Sequence, residues 1–210
     1  ATYMIEGKPS RDYSQTKAMM YGYPELWSAL MEKLAEMVIA YLKAQIGAGV
    51  QMVQLFDSWV GWLSPLDYEE YVYPYSRRIL HSLRGLGVPL VHFGTGTAGL
   101  LELIRDAGAD VVGVDWRIGL DSAWTRLGPG TAVQGNLDPA TLLAPFSVVQ
   151  AQAEDVLFRA GGRPGHIFSL GHGLLPNSPL DNVVRLVEFV KEHTARPYYG
   201  ERASQPATSA

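Results

Sequence analysis

Five short runs rich in Val, Leu, Ile and Phe recur along the chain, and helical patterns lie between them. The runs are VQMVQLF (50–56), PLVHF (89–93), DVVGV (110–114), TAVQ (131–134) and HIFSL (166–170). Consecutive apolar positions over so few residues predict strands covered on both faces. Residues 65–87 carry apolar side chains at helical spacing behind Pro65, and Pro74 should end or kink that helix because it lacks an N–H and crowds the preceding turn. Residues 98–108 form a short amphipathic pattern closed by Gly108. Asp138 and Pro139 read as a helix start, continued over 146–160. Residues 178–194 predict a helix capped by Ser178 with Leu180, Val183, Val184, Val187 and Val190 along its apolar stripe. Ahead of the first strand, residues 25–49 predict a long helix with Leu26, Leu30, Leu34, Met37, Val38 and Tyr41 on one face. Strand followed by helix, repeated, is the pattern of parallel βα units.

Five such units satisfy an open doubly wound sheet, whereas a closed barrel needs eight strands. The strand ends argue for the barrel. Asp57 and Ser58, Gly94 to Thr97, Asp115 and Trp116, Gly135, Asn136 and Asp138, and Gly171 and His172 each follow a run. Parallel strands place all these ends at one rim, and a site fed by every strand suits a barrel mouth better than a single crevice.

Composition narrows the function classes. A formal charge of −4 and scattered Lys and Arg give no nucleic-acid surface. No apolar run is long enough for a bilayer span. The absence of cysteine removes disulfides and thiolate metal ligands and fits a reducing compartment. With 47% apolar residues the chain can bury a sizeable core. It begins ATYMIEG, without methionine, as if cut from something longer. Residues 1–197 read as one barrel-like unit and 198–210, with ERASQPATSA, as a disordered tail.

At the rim, FSLGHGLLPNSP (168–179) sets His172 between two glycines, which reads as an imidazole offered at a strand end or as a loop histidine with local partners. Ser58 is a ligand contact or an ordinary polar strand end. GTGTAG (94–99) has the look of an anion loop, but its spacing fits neither a Walker loop nor a dinucleotide fingerprint. GNLDP (135–139) is a substrate loop or, preferably, a turn and helix cap. Asp115 and Trp116 orient the rim rather than react. Tyr3 is unremarkable on spacing. His81, His92, His166 and His193 show no metal-ligand spacing, and His166 opens a strand at the end far from the rim.

TYMIEG, QLFDSWVGWLSP, VVGVDWR, VQGNLDP and LGHGLLP, in this order and at these separations, resemble the uroporphyrinogen decarboxylase family from Tyr3 to about His193. The resemblance implies an α/β fold, a (β/α)8 TIM barrel of which this chain supplies about the last five units. It implies a carboxy-lyase without cofactor or metal, removing carbon dioxide from the four acetate side chains of uroporphyrinogen III to give coproporphyrinogen III. On matching positions it implies Tyr3, Ser58 and His172 as substrate-binding residues, with Tyr3 and His172 also catalytic. The family's pyrrole-binding aspartate and arginine-bearing loop fall in segments this chain lacks. A homodimer of the complete protein, a cytoplasmic location, and neither nucleic-acid nor membrane partners are further expectations, and so is inactivity of this chain alone. Two departures are IEGKPS, where Lys8 and Pro9 replace a more glycine-rich loop, and Asp57, where glutamate also occurs. The rival in the same superfamily is a zinc-dependent corrinoid or coenzyme M methyltransferase, whose His-x-Cys position reads His92, Phe93, Gly94 here and whose later cysteine position reads Gly171, His172. A non-catalytic module made from part of a barrel is the alternative from another class.

Overall fold

The computed structural model describes residues 1–8 and 10–194. The expected tail at 198–210 and the Pro9 position lie outside the described residues. The expected βα alternation is present. Two short helices, α1 (Thr2–Glu6) and α2 (Ser14–Gly22), lead into the long α3 (Pro24–Gly47). There follow β1 (Val53–Phe56), α4 (Pro65–Tyr71), α5 (Tyr73–Leu83), β2 (Leu90–Phe93), α6 (Leu101–Asp106), β3 (Val111–Gly113), α7 (Leu120–Leu127), β4 (Ala132–Leu137), α8 (Phe146–Ala160), β5 (His166–Leu170) and α9 (Leu180–Thr194). All four strand pairings are parallel, and the spatial order β1-β2-β3-β4-β5 is the order of the chain.

An unbroken progression of neighbours belongs to a barrel wall, since a doubly wound sheet reverses its order at a switch point. Curvature agrees. Register and alternation put Val53, Leu55, Leu90, Val112, Val133, Leu137 and Leu170 on the face that packs against helices. Gln54, Phe56, Val91, Phe93, Val111, Gly113, Gln134 and Ile167 therefore share the other face. On that face Gln134 Nε2 donates to Gln54 Oε1 at 3.2 Å. Three strand spacings separate β1 from β4, roughly 14 Å in a flat sheet, so the sheet curls inward to bring the two amides together. The structure is five consecutive units of a (β/α)8 barrel.

The core lies between this sheet and its helices. One cluster holds Ala35, Leu42, Val53, Ile79, Leu80, Leu83 and Leu90 beneath α3 and α5. A larger one runs from Met20 and Trp27 through Leu101, Ile104 and Leu120 to Leu186 and Phe189. Each fully buried Leu or Ile contributes about 1.5–3 kcal/mol. Pro74 divides the 65–87 helix as expected: the chain breaks at Val72, and the proline enters the first turn of α5, where its missing N–H has no partner to lose.

Three local expectations are corrected. Ser178 does not cap α9; its hydroxyl is buried without a partner, and Val183 N–H donates instead to the Pro179 carbonyl. The stripe of α9 that is buried is Asn182, Leu186 and Phe189, whereas Leu180, Val184 and Val187 are exposed. On α3 the buried residues are Trp27, Ala35 and Leu42, while Leu26, Met37 and Tyr41 face outward. Both helices carry apolar residues around more than one face, and both stand at an open side of the sheet, α3 beside β1 and α9 after β5. Periodicity finds an apolar surface but not which part of it this chain covers.

Candidate active site

The parallel strands end together, and the rim they form is built by close backbone contact. Ser58 follows β1 by two residues and His172 follows β5 by two, so both stand at the carboxyl end of the sheet. The Ser58 carbonyl is fixed, accepting from the Thr95 N–H at 3.3 Å and from the Thr95 hydroxyl. This leaves its half-buried hydroxyl without a hydrogen bond to the described residues. Gly61 makes the approach possible, because a Cβ there would overlap the Thr95 carbonyl. The Gly-rich GTGTAG stretch is thus occupied by packing against the Ser58 loop, and the Gly96 N–H is taken by Asp115 Oδ2 at 2.7 Å. It is a joint between strands rather than an open anion loop.

His172 is exposed, and its ring meets Phe93 edge-on with centroids 6.5 Å apart. Phe93 in turn packs edge-on against Phe56 at 6.1 Å. His172 therefore reaches from β5 over the inner face to an aromatic floor supplied by β2 and β1. The two glycines beside it do different work. At Gly171 a Cβ would lie 2.6 Å from the Trp116 nitrogen, so β5 needs glycine to close on the end of β3; at Gly173 a Cβ would meet open space, and neither residue has positive φ. Of the two, only Gly171 is needed for a close approach.

Tyr3 lies on α1 with its ring edge-on to Trp59, centroids 6.3 Å apart, next door to Ser58. It is two-thirds exposed (67%). Glu6 holds this segment in place: buried, it accepts from the Thr16 N–H at 2.9 Å and the Thr16 hydroxyl at 2.8 Å, tying α1 to α2. A cavity of about 490 Å³ runs beside β1 between α1, α3 and the strand, with Tyr3, Lys17, Met31, Asp57, Ser58 and Trp59 among its walls.

Behind Ser58, on the helix side of the sheet, Asp57 Oδ2 stands 3.7 Å from His92 Nε2 and 3.5 Å from the Ser76 hydroxyl. His92 is wholly buried with neither ring nitrogen hydrogen-bonded, and burial pushes the neighbouring Tyr68 phenol far up. The residue at the methyltransferase-like His position thus points away from the inner face. His166 begins β5 at the opposite end from the rim, as expected. Its Nε2–H donates to the Gly135 carbonyl at 2.9 Å, and burial pulls its pKa down.

Asp115 braces the rim. Asp115 is buried. Its carboxylate accepts from the Gly96 and Arg117 N–H groups and pairs with the Arg117 guanidinium. Asn136 Nδ2 donates to the carbonyls of Asp115 (3.0 Å) and Ile118 (2.7 Å), and the Asp138 carboxylate caps the turn at 139–143 through the Ala140 N–H. GNLDP is both cap and strut. Sequence reasoning missed the aromatic floor of Phe56 and Phe93 and the clamp made by Gly61. Phe56 and Phe93 occupy paired positions on one face, a signal that appears only once strand register is known.

In (β/α)8 barrels the carboxyl rim of consecutive parallel βα units is where ligand-binding groups gather. A sequence model of uroporphyrinogen decarboxylase matches residues 1–193, and this chain belongs to that family. It is 54% identical over 200 residues to the uroporphyrinogen decarboxylase of Roseiflexus sp., covering 93% of this chain and 58% of that protein. Identity to the Streptomyces coelicolor enzyme of the same name is 54% over 196 residues, covering 93% and 55%. Identity to that of Carboxydothermus hydrogenoformans is 50% over 198 residues, covering 94% and 57%. The chain therefore spans little more than half the length of these relatives.

Proposed function

We propose that this chain provides the carboxyl-terminal wall of an enzyme that decarboxylates the four acetate side chains of uroporphyrinogen III, yielding coproporphyrinogen III in haem and porphyrin biosynthesis. The observation that carries the reading is the shared rim of Ser58 and His172, with Tyr3 alongside, in a chain of this family. Each step breaks the bond between an acetate methylene and its carboxylate. The electron pair flows into a pyrrole ring made electron-poor by protonation, carbon dioxide leaves, and a proton completes the methyl group. Tyr3 O–H, Ser58 O–H and the His172 ring N–H are donors suited to substrate carboxylates, and Tyr3 and His172 are the catalytic residues of this reading. The Phe56–Phe93 floor offers an apolar surface to the macrocycle. No cofactor or metal enters the scheme.

The same reading extends to a homodimer of the complete protein and to a cytoplasmic location. It also assigns the chain no turnover by itself, because the described residues supply five of a barrel's eight strands. The test is a product assay on uroporphyrinogen III, run with the chain alone and with the chain mixed with the separately produced amino-terminal portion of the Roseiflexus relative. Coproporphyrinogen should form only in the mixture, and His172→Ala should reduce it. A docked mixture that forms none overturns the reading; full turnover by the chain alone overturns the division of labour between the halves.

A further inference from the structure

We propose that Arg117 is a carboxylate-binding residue of this cleft, held ready by the buried Asp115; the inference rests on the substrate reading above and adds a residue to the same site. Alternation along β3 places Val111 and Gly113 on the inner face, and continued one step it turns Asp115 the same way. The Asp115 carboxylate confirms that direction by reaching the Gly96 N–H at the end of β2. Because the Arg117 guanidinium pairs with this carboxylate through Nη1, it lies over the mouth of the sheet and not on its outer side. The Trp116 ring supports one face of it, with Cζ 4.1 Å from the ring centroid.

This arrangement leaves the fork usable. Asp115 accepts from two backbone N–H groups besides Nη1, and Arg117 makes no other side-chain hydrogen bond to the described residues. Its side chain remains half exposed, so Nε and Nη2 can donate in parallel to a carboxylate, the bidentate geometry for which a guanidinium is suited. The location is right as well. Trp116 is the residue against whose amide Gly171 packs, so Arg117 and His172 are each one residue from the same backbone contact. Much of the cost of fixing a long flexible side chain is met before ligand arrives, through the ion pair and the stacked ring.

Equilibrium titration with uroporphyrin I, the stable oxidised octacarboxylate, followed by porphyrin fluorescence, tests the assignment on the 210-residue chain. Arg117→Gln should raise Kd about tenfold, the size of one lost charge-assisted hydrogen-bonding group. Arg117→Lys keeps a charge for Asp115 but lacks the fork, so it should recover part of the loss. Lys43→Gln on the exposed surface of α3 makes the same charge change and should leave Kd alone. Equal Kd for wild type, Arg117→Gln and Arg117→Lys overturns the role of Arg117 while leaving the substrate reading intact. A wild-type chain that takes up no uroporphyrin, alone or docked with the amino-terminal portion of the Roseiflexus relative, overturns the substrate reading and this inference together.

Discussion

Gly171 lies against the backbone of Trp116 so closely that a methyl group at residue 171 would sit 2.6 Å from the Trp116 nitrogen. Backbone cannot swing aside as a flexible side chain can. Gly171→Ala should therefore cost about 1–3 kcal/mol by overpacking. Gly173→Ala, with open space around the new methyl, should stay within about 0.5 kcal/mol of wild type. Urea denaturation of the two variants checks the contrast, and equal losses would contradict the close approach of β5 to β3.

His166 makes stability depend on pH. Burial lowers its folded-state pKa, an effect that outweighs the opposing hydrogen bond to Gly135 O, and the nearby Arg163 works in the same direction as burial. The unfolded chain thus binds more protons than the folded one once pH falls through the ordinary histidine value of about 6.5. Stability should be intact above that pH, decline below it, and stop declining once pH passes the lower folded-state value. Phenylalanine suits a ring packed between Trp124 and Phe168. The urea midpoint of His166→Phe should change less between pH 7.5 and pH 5.5 than that of wild type, and parallel behaviour of the two proteins would remove His166 as the cause.

Ser58 and His172 present side chains that fold stability does not need. Ser58→Ala and His172→Ala should each alter unfolding free energy by no more than about 0.5 kcal/mol. Both should weaken uroporphyrin binding by the 210-residue chain. A large stability loss without a change in binding would mark them as structural.

Leu186 and Phe189 hold α9 to the core, whereas Val184 and Val187 do not. Leu186→Ala should cost about 2–5 kcal/mol and Phe189→Ala about 3–5 kcal/mol. Val184→Ala and Val187→Ala should cost less than about 1 kcal/mol in this chain. Thermal melts of the four variants, compared at matched concentration, decide which face is buried.

The strands were legible because their apolar runs are short, dense and bounded by turns; the structure trims VQMVQLF to Val53–Phe56 and extends TAVQ to Leu137. The break before Pro74 was legible for a covalent reason, the missing N–H. The stripes on α3 and α9 were misread because periodicity marks apolar residues but not which of them the rest of the fold covers. At the rim, the ends of the runs located Ser58 and His172. Partnership was hidden: nothing in the spacing shows that Asp115 takes the Gly96 amide, or that Gly61 lets Thr95 grip the Ser58 carbonyl. Those contacts join strands whose separation along the chain carries no local signature. Tyr3 had no spacing signal at all and came from TYMIEG by resemblance alone.

Because the strands neighbour one another in the order in which they are made, each new βα unit docks on the unit synthesised just before it. None of the five described strands waits for a distant partner, so loop-closure entropy stays low and the sheet can assemble by successive local additions. Growth of this kind is like a zipper with two open ends: every addition covers one row of backbone donors and acceptors and exposes another. Folding kinetics and self-association are therefore coupled in this chain. The rows left at β1 and β5 should make refolding yield fall as protein concentration rises, while the early folding rate stays independent of concentration.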